Sequence, residues 1–288
     1  MRTGPQSAAI ATHRRDREGA GVPPWRVMER EKQTSSDVAE VRASGGALAS
    51  VAETFEPRGP GRSDSRPYHV GMIPDGNRRY ARKVGISMAA AYLSAADKAL
   101  ETVDWCAEAG VAHLSAFGVS QENIARRPME DVLALHEALL RFCRGVVGMP
   151  GTALHLFGDP ARLPATVPGR EELIRLRCCS GPQGAPLVVH VGVNYSGQAE
   201  LTAALDAARA RGIEAVAAAP AAFTLSAGVP PVDLVVRTAG QQRLSGFLPF
   251  QTAYAELWFT STLWPELGRA EFLRALDWYA RQERHFGE

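Results

Sequence analysis

The sequence has no excess of either charge, no long apolar run and few cysteines. Lys and Arg total 32 against 31 Asp and Glu, a formal charge of +1, which argues against a protein that coats nucleic acid, because such proteins are normally strongly basic. No apolar run reaches the roughly 18–20 residues that cross a bilayer. The four cysteines, Cys106, Cys143, Cys178 and Cys179, form no Cys-x-x-Cys pair, which favours a reducing cytoplasmic compartment.

Two common ligand-binding patterns are also missing. The chain has no Gly-x-x-x-x-Gly-Lys-Ser/Thr loop, which argues against a P-loop nucleoside triphosphatase. Its seven histidines are scattered without the spacing of metal ligands, so they give no evidence of a zinc-type site. The chemistry therefore has to come from other polar segments.

Residues 1–67 differ in composition from the rest of the chain. They contain 11 basic and 9 acidic residues but only 11 large apolar ones, too few to offset the entropy lost on ordering. The nine acids argue against a transit peptide, and no charged-then-apolar layout of a secretory signal is present. This segment is predicted to be a disordered extension, and a folded domain is predicted over residues 68–288.

Short apolar runs alternate with helical patterns beyond residue 67. The runs typical of buried strands lie at 69–73, 111–119, 153–157, 187–193 and 232–236. Helical spacing of apolar residues follows the first run, between Gly85 and Gly110, and occurs again over 129–147. This alternation predicts an α/β domain with a mostly parallel sheet surrounded by helices. Ligands of such folds bind beyond the carboxyl ends of the strands.

The first polar segment follows the first predicted strand. Pro74-Asp75-Gly76-Asn77 is a turn sequence, and Arg78 and Arg79 begin the next helix. Backbone N–H groups at a helix start, together with two arginines, suit an anion such as a phosphate group. Asp75 amid this positive charge suits a divalent cation that a diphosphate also binds. A surface turn with solvated arginines explains the segment equally well on its own.

Two more polar segments follow later strands. Residues 120–130 read as a polar loop that caps a helix, and residues 233–245 carry Arg237 and Arg243 with small residues between them. Two guanidinium groups in one bent loop can face the same anion. Glu256 lies in an apolar, strand-like run, where a carboxylate is costly unless it is paired with an arginine or bound to a metal.

Taken together, these segments resemble the cis-prenyltransferases, the undecaprenyl diphosphate synthase family. The resemblance covers residues 69–288 and is carried by HVGMIPDGNRRYA at 69–81, SQENIARRP at 120–128 and DLVVRTAGQQRLSGFLPFQTAYAELWFTSTLWPEL at 233–267. It implies a parallel sheet surrounded by helices with an apolar tunnel for hydrocarbon, Mg²⁺ as cofactor, prenyl diphosphate substrates and a homodimer. The tunnel floor could include Leu133, Leu140 or Phe142.

The resemblance also implies roles for individual residues. Asp75 would be a catalytic residue that binds Mg²⁺ and the allylic diphosphate, and Glu256 would help to place the metal. The allylic diphosphate would be cradled by Gly76, Asn77, Arg78 and Arg79. The diphosphate of the second substrate would be held by Arg237, Arg243 and Ser245. The reacting pocket would be lined by Ser120, Asn123 and Arg126. Asn123, Tyr92 and the departing diphosphate are candidate proton acceptors.

Several positions depart from the family pattern. Met88 and Tyr92 replace an arginine and a histidine that face the allylic diphosphate in chain-elongating members, Arg78 replaces a glycine, and Ile124 replaces a tryptophan. The loss of a cation at position 88 and the gain of one at position 78 indicate a rebuilt phosphate cradle. A similar pattern, Asp-Gly-x-Arg-Arg-Trp/Tyr with a tyrosine about a dozen residues downstream, occurs in a bacterial side branch. That branch resembles lavandulyl-type synthases, which join prenyl units head to middle.

The sequence therefore favours condensation of dimethylallyl diphosphate with a short allylic diphosphate such as geranyl diphosphate, giving a branched, lavandulyl-like diphosphate. One alternative is Z-type head-to-tail elongation with isopentenyl diphosphate. Another, of a different class, is a non-catalytic partner subunit, although such subunits generally lack the Asp-Gly-Asn turn. The sequence contains no Asp-Asp pair, so the aspartate-rich boxes of trans-prenyl synthases are missing.

Overall fold

The computed structural model of the chain describes Met1 and residues 66–177, 181–218 and 220–283. The extension over residues 1–67 lies almost wholly outside these residues, so its disorder stays a prediction. No helix in the described part is long and apolar enough to span a membrane. The cytoplasmic location expected from the sequence also stays a prediction.

In the described part of the chain, six strands form one sheet in the spatial order β3-β4-β2-β1-β5-β6, and every neighbouring pair is parallel. The strands are β1 (His69–Ile73), β2 (His113–Ser120), β3 (Thr152–Gly158), β4 (Leu187–Tyr195), β5 (Leu234–Arg237) and β6 (Glu256–Phe259). This confirms the predicted α/β fold. The second predicted strand begins two residues later than expected.

Helices connect the first five strands, whereas a loop over residues 238–255 connects β5 to β6. Parallel strands need long crossover connections of this kind. The helices are α1 (Asn77–Val84), α2 (Met88–Ala109), α3 (Gln121–Arg126), α4 (Met129–Gly148), α5 (Arg170–Leu176), α6 (Gly197–Arg211), α7 (Ile213–Ala218) and α8 (Arg269–Tyr279). Short 3₁₀ turns occur at Pro160–Arg162, Pro220–Phe223 and Trp264–Glu266.

Local signals set the ends of α2. The Ser87 side chain caps its start by accepting a hydrogen bond from the Ala90 amide, and Gly110 ends it in a left-handed conformation. α2 packs against α4, and a side chain at Gly145 would begin 2.5 Å from a Leu100 methyl group. Glycine at position 145 therefore permits the close approach of the two long helices.

The register of the sheet brings the polar segments to one edge. Ile73 is opposite Arg237 where β1 and β5 end, and Ser120 is opposite Tyr195 where β2 and β4 end. The segments that follow these four strands therefore begin side by side. Packing of parallel strands, and not proximity in the chain, creates this arrangement.

A row of histidines crosses the sheet toward its amino end, where the sequence showed only scattered residues. His190 Nε2 lies 2.9 Å from His113 Nδ1, and His190 Nδ1 lies 2.9 Å from His155 Nδ1. His69 Nε2 hydrogen-bonds to Ser115 Oγ at 2.8 Å. Burial lowers the pKa of His190 well below its usual value, helped by the neighbouring rings, and lowers the pKa of His155 to about 4 with a contribution from Arg177.

These depressed pKa values predict a stability that depends on pH. Unfolding exposes His155 and His190 and restores their ordinary pKa of about 6.5, so the unfolded chain takes up protons that the folded one does not. The free energy of unfolding should therefore decrease as the pH falls from about 6.5 toward 4. Urea unfolding at pH 7.5, 6.5, 5.8 and 5.0 measures this slope.

The free energy of unfolding of the His190→Asn protein should depend less on pH between 6.5 and 5.0. Carboxyl groups titrate little in this range. Comparing slopes removes any constant loss of stability caused by the substitution. A variant that kept the slope of the unaltered protein would contradict the assignment to the histidine row.

Candidate active site

A cavity of about 780 Å³ opens at the carboxyl edge of the sheet. Its mouth is polar and takes side chains from the segments after β1, β2 and β5, including Asn77, Asn123 and Arg243. Its interior lies between α2 and α4, where the lining is apolar and includes Ala99 and Phe142. A charged mouth above an apolar interior suits a ligand with an anionic head and a hydrocarbon tail.

The turn after β1 is held rigidly at the cavity mouth. The Asp75 amide donates to Thr238 Oγ1 at 2.9 Å, and the Asp75 carbonyl oxygen accepts from Thr238 Oγ1 at 2.8 Å and from the Trp264 amide at 3.0 Å. Gly76 has a φ of 111°, and a side chain there would begin 3.0 Å from the Ala239 methyl group. A residue with a side chain would be strained and crowded at this position, so only glycine fits. The glycine and the backbone hydrogen bonds of Asp75 together hold the turn in one conformation.

Arg237, at the end of β5, joins two of the polar segments. Its side chain is almost fully buried, and Nη2 donates to Asp75 Oδ2 at 2.9 Å. Nη1 donates to Ser245 Oγ at 2.9 Å and to the Arg243 carbonyl oxygen. One planar guanidinium group therefore fixes both Asp75 and the loop that carries Arg243 and Ser245.

The segment after β2 is anchored to the neighbouring strand β4. Ser120 Oγ accepts from the Asn123 amide at 3.1 Å and caps α3. Glu122 accepts from Ser196 Oγ at 2.8 Å, and Gln121 donates to the Asn194 carbonyl oxygen at 3.1 Å. These bonds hold the loop so that Ser120 and Asn123 face the cavity.

Tyr92 lines the cavity and is paired with Arg127, a residue that the sequence analysis did not select. Arg127 Nη1 donates to Tyr92 Oη at 2.8 Å. Burial raises the pKa of Tyr92, although the positive charges of Arg127 and Arg78 oppose the rise. The raised pKa keeps this hydroxyl protonated at neutral pH, which favours Tyr92 as a hydrogen-bond donor and argues against it as the proton acceptor. Arg127 directly follows Arg126, which the motif had indicated. The second arginine before Pro128 is the sequence feature that could have indicated Arg127 as well.

Most of the residues predicted to form the site do line this cavity. They are Asp75, Asn77, Arg78, Tyr92, Ser120, Asn123, Arg126, Arg237, Arg243 and Ser245. Of the candidates for the tunnel floor, Phe142 lines the cavity, whereas Leu133 and Leu140 do not. Arg126, Arg243 and Ser245 are exposed at the mouth.

Three of the residues predicted to bind substrate or metal do not line the cavity. Gly76 supports the turn through its backbone, and Arg79 donates to the Ala239 carbonyl oxygen at 2.7 Å. Glu256 begins β6 opposite Leu234, three residues before the position paired with Arg237. At about 3.3 Å per residue, that places it roughly 10 Å along the strand from the carboxyl edge. Within the chain Glu256 is not beside Asp75, and its metal role stays a prediction.

Comparison with known proteins agrees with this fold. The model of the family described as "Putative undecaprenyl diphosphate synthase" matches residues 73–287. The short-chain Z-isoprenyl diphosphate synthase of Mycobacterium leprae is 37% identical over 242 residues, which cover 78% of this chain and 90% of that protein. The (2Z,6E)-farnesyl diphosphate synthase of Mycobacterium tuberculosis is 34% identical over 236 residues, covering 77% and 88%.

A solved structure is similar over the same part of the chain. Lavandulyl diphosphate synthase from Lavandula x intermedia, in complex with dimethylallyl diphosphate, superposes with a TM-score of 0.68 at 25% identity, covering 78% of this chain and 100% of that one. The chain therefore belongs to the cis-prenyltransferase family, the undecaprenyl diphosphate synthase-like enzymes. Within that family it is a prenyl diphosphate synthase, as the motifs predicted.

Proposed function

We propose that the protein condenses an allylic diphosphate with isopentenyl diphosphate, head to tail, to form a short-chain Z-isoprenyl diphosphate. The observation that carries the proposal is that arginines from separate polar segments, among them Arg78, Arg126 and Arg237, surround the mouth of one cavity with an apolar interior. The departures of the sequence from the family pattern favoured a head-to-middle product. The names of the curated relatives at 34–37% identity support head-to-tail elongation instead.

The chemistry follows from the charges at the mouth. The bond between C1 of the allylic substrate and its diphosphate breaks, and arginine side chains stabilise the negative charge that develops on the leaving group. The double bond of isopentenyl diphosphate then attacks C1, and a proton leaves the new chain. The apolar interior excludes water from the cationic carbon. The Tyr92 hydroxyl stays protonated, and the side-chain amide of Asn123 is not basic. The departing diphosphate is therefore the favoured proton acceptor.

A divalent cation, Mg²⁺ in this proposal, fits the donors around Asp75. Oδ2 of Asp75 accepts from Arg237, whereas Oδ1 makes no hydrogen bond among the described residues, and the buried Oδ1 of Asn77 has no partner there either. No cluster of three His, Cys, Asp or Glu side chains in the described part could hold a metal. This donor set suits Mg²⁺, which usually binds one or two carboxylates together with waters and substrate phosphates. When bound, the cation would neutralise charge on the leaving diphosphate.

Product length should depend on the floor of the cavity. Phe142 is buried on α4 and lines the apolar interior. The Phe142→Ala protein should release longer products because the removed ring opens space for further isoprene units. Chromatography of the dephosphorylated products measures this distribution.

The Leu140→Ala protein is the matched control. Leu140 is as buried on the same helix but packs against Gly169 outside the cavity, so its products should keep the original length. Equal lengthening in both variants would mean that general loosening of α4, and not the cavity floor, sets product length.

A comparison of substrate pairs tests the proposed function. The protein with Mg²⁺ is incubated with geranyl and isopentenyl diphosphates and, separately, with geranyl and dimethylallyl diphosphates, and the products are identified by NMR. We expect a linear Z product from the first pair alone. Complete inactivity with both pairs would refute the proposal and revive the reading of a non-catalytic partner subunit.

The second candidate is condensation of dimethylallyl diphosphate with geranyl diphosphate to a lavandulyl-like product. It is favoured by Met88, which packs its side chain against the apolar core where elongating members carry an arginine, and by the Tyr92–Arg127 pair. The named activity of the similar plant structure supports it as well. A branched product from the second substrate pair would establish this candidate over elongation.

We also propose that the protein acts as a homodimer, as its resemblance to the family implies. Sedimentation equilibrium or light scattering should give twice the mass of the 31.0 kDa chain. A monomeric mass together with full activity would contradict this part of the proposal.

A further inference from the structure

The anion-binding loop, residues 243–248, has an unfavourable backbone conformation. Ser245 has a φ of 53° and Leu248 a φ of 46°, values in the left-handed region that residues other than glycine rarely adopt. The loop carries Arg243 and Ser245, both of which line the cavity mouth. Backbone strain of this kind persists only where surrounding contacts enforce it, so the positions of these two side chains depend on what holds the loop.

Side chains of two strands hold the loop at its two ends. Arg237, on β5, binds the Arg243 carbonyl oxygen and Ser245 Oγ at the first end. Tyr195, the last residue of β4, accepts a hydrogen bond from the Leu248 amide through its hydroxyl oxygen at 3.1 Å. The hydroxyl of Tyr195 therefore restrains the strained residue at the second end.

Tyr195 is held in turn by a buried carboxylate. Its hydroxyl donates to Oε2 of Glu200, which is fully buried in the first turn of α6. Oε1 of Glu200 accepts from the Ser226 amide at 3.2 Å and from the Ser226 hydroxyl, and Gln251 donates to that hydroxyl oxygen at 2.7 Å. A carboxylate with these donors is a fixed anchor, because its burial is compensated by hydrogen bonds.

The start of α6 also touches the loop directly. A side chain at Gly197 would begin 2.4 Å from the Gly246 carbonyl oxygen, so helix and loop are in backbone contact. Tyr195 and Glu200 do not line the cavity, and they would not touch a ligand bound there. Their hydrogen bonds nevertheless end on the backbone of the segment that presents Arg243 and Ser245.

We propose that Tyr195 and Glu200 are positioning residues that hold the anion-binding loop in the conformation that binds the diphosphate of the second substrate. This inference rests on the proposed function, in which Arg243 and Ser245 hold isopentenyl diphosphate. The resemblance assigns the allylic diphosphate to a different segment, the start of α1 with Asn77 and Arg78. Loss of the anchor should therefore weaken the binding of one substrate and spare the other.

The Tyr195→Phe protein tests this selectivity. The substitution keeps the ring in the core and removes the hydroxyl that links Leu248 to Glu200. We expect the KM for isopentenyl diphosphate to rise about tenfold, the effect of one lost hydrogen bond to a buried group, with the KM for geranyl diphosphate unchanged. Hydrogen exchange at the Leu248 amide should accelerate in the same variant.

The Glu200→Gln protein should show the same split to a smaller extent, because the side-chain amide can keep the bonds to Ser226 but no longer carries the charge that Tyr195 faces. Tyr279→Phe is the control. Tyr279 is also buried, but it lies on α8 and does not line the cavity. Removing its hydroxyl should therefore change neither KM.

The outcomes distinguish a failure of the positioning role from a failure of the proposed function. If Tyr195→Phe raises both KM values equally, or raises neither, the positioning role is wrong while the proposed function stands. If the unaltered protein condenses neither substrate pair, the proposed function fails. Hydrogen exchange at Leu248 then still decides whether Tyr195 and Glu200 hold the loop.

Discussion

The Asp75→Asn protein is expected to lose about a thousandfold in kcat, equivalent to roughly 4 kcal/mol of transition-state stabilisation. Asn has the size of Asp but cannot supply the negative charge that a divalent cation requires beside the leaving diphosphate. Folding should be little affected, because the Asp75 side chain is about one-third exposed. Arg237 also keeps its bonds to the Arg243 carbonyl oxygen and Ser245. Steady-state kinetics across a range of Mg²⁺ concentrations, with a thermal melt, measure both effects.

A surface carboxylate provides the matched control for this result. Asp97 pairs with Arg141 across α2 and α4, and both side chains are about half exposed. Asp97→Asn should leave kcat unchanged, since neither residue lines the cavity. Turnover by Asp75→Asn as fast as by the unaltered protein would remove the chemical basis of the proposed function.

The Arg237→Lys protein is expected to lose about a hundredfold or more in kcat/KM. A lysine ammonium keeps the charge, but it cannot present the planar fork that binds Asp75, Ser245 and the Arg243 carbonyl oxygen together. The loss should appear in the KM of the second substrate as well as in kcat, because the same group fixes Asp75 and the anion-binding loop. Separate titrations of the two substrates measure the division.

Arg141→Lys is the corresponding control and should leave both constants unchanged, since its partner Asp97 is a surface carboxylate. Exposed ion pairs contribute little to stability, so Arg141→Lys should also leave the free energy of unfolding nearly unchanged. If Arg237→Lys kept full activity, charge alone and not the shape of the guanidinium group would account for the role of this residue.

Local chemistry and strand order explain which of the predicted residues meet at the cavity mouth. The turn at Asp75 and Gly76 follows a buried strand, and Arg237 ends another, so the parallel sheet aligns them at one edge. The same rule explains why Glu256 lies elsewhere. It begins its strand, and the start of a parallel strand lies at the opposite edge from the ligand.

The structure also shows side-chain directions that the sequence does not indicate. Arg78 and Arg79 are neighbours in sequence, but successive helical residues are about 100° apart around the axis, so only Arg78 lines the cavity. Arg79 instead bonds to the loop after β5. The pairing of Tyr92 with Arg127 joins residues 35 apart in the chain, and no local pattern indicates it.

The sequence by itself determined the α/β class, the three polar segments and the family to which they belong, because strand and helix periodicity and motif chemistry are properties of short stretches of chain. The tertiary structure alone decided which side chains meet. It gave Arg237 its place between Asp75 and Ser245, gathered the histidine row across four strands, and set the size of the apolar cavity. These features depend on how distant segments pack, and packing is determined by the whole core and not by any one stretch of residues.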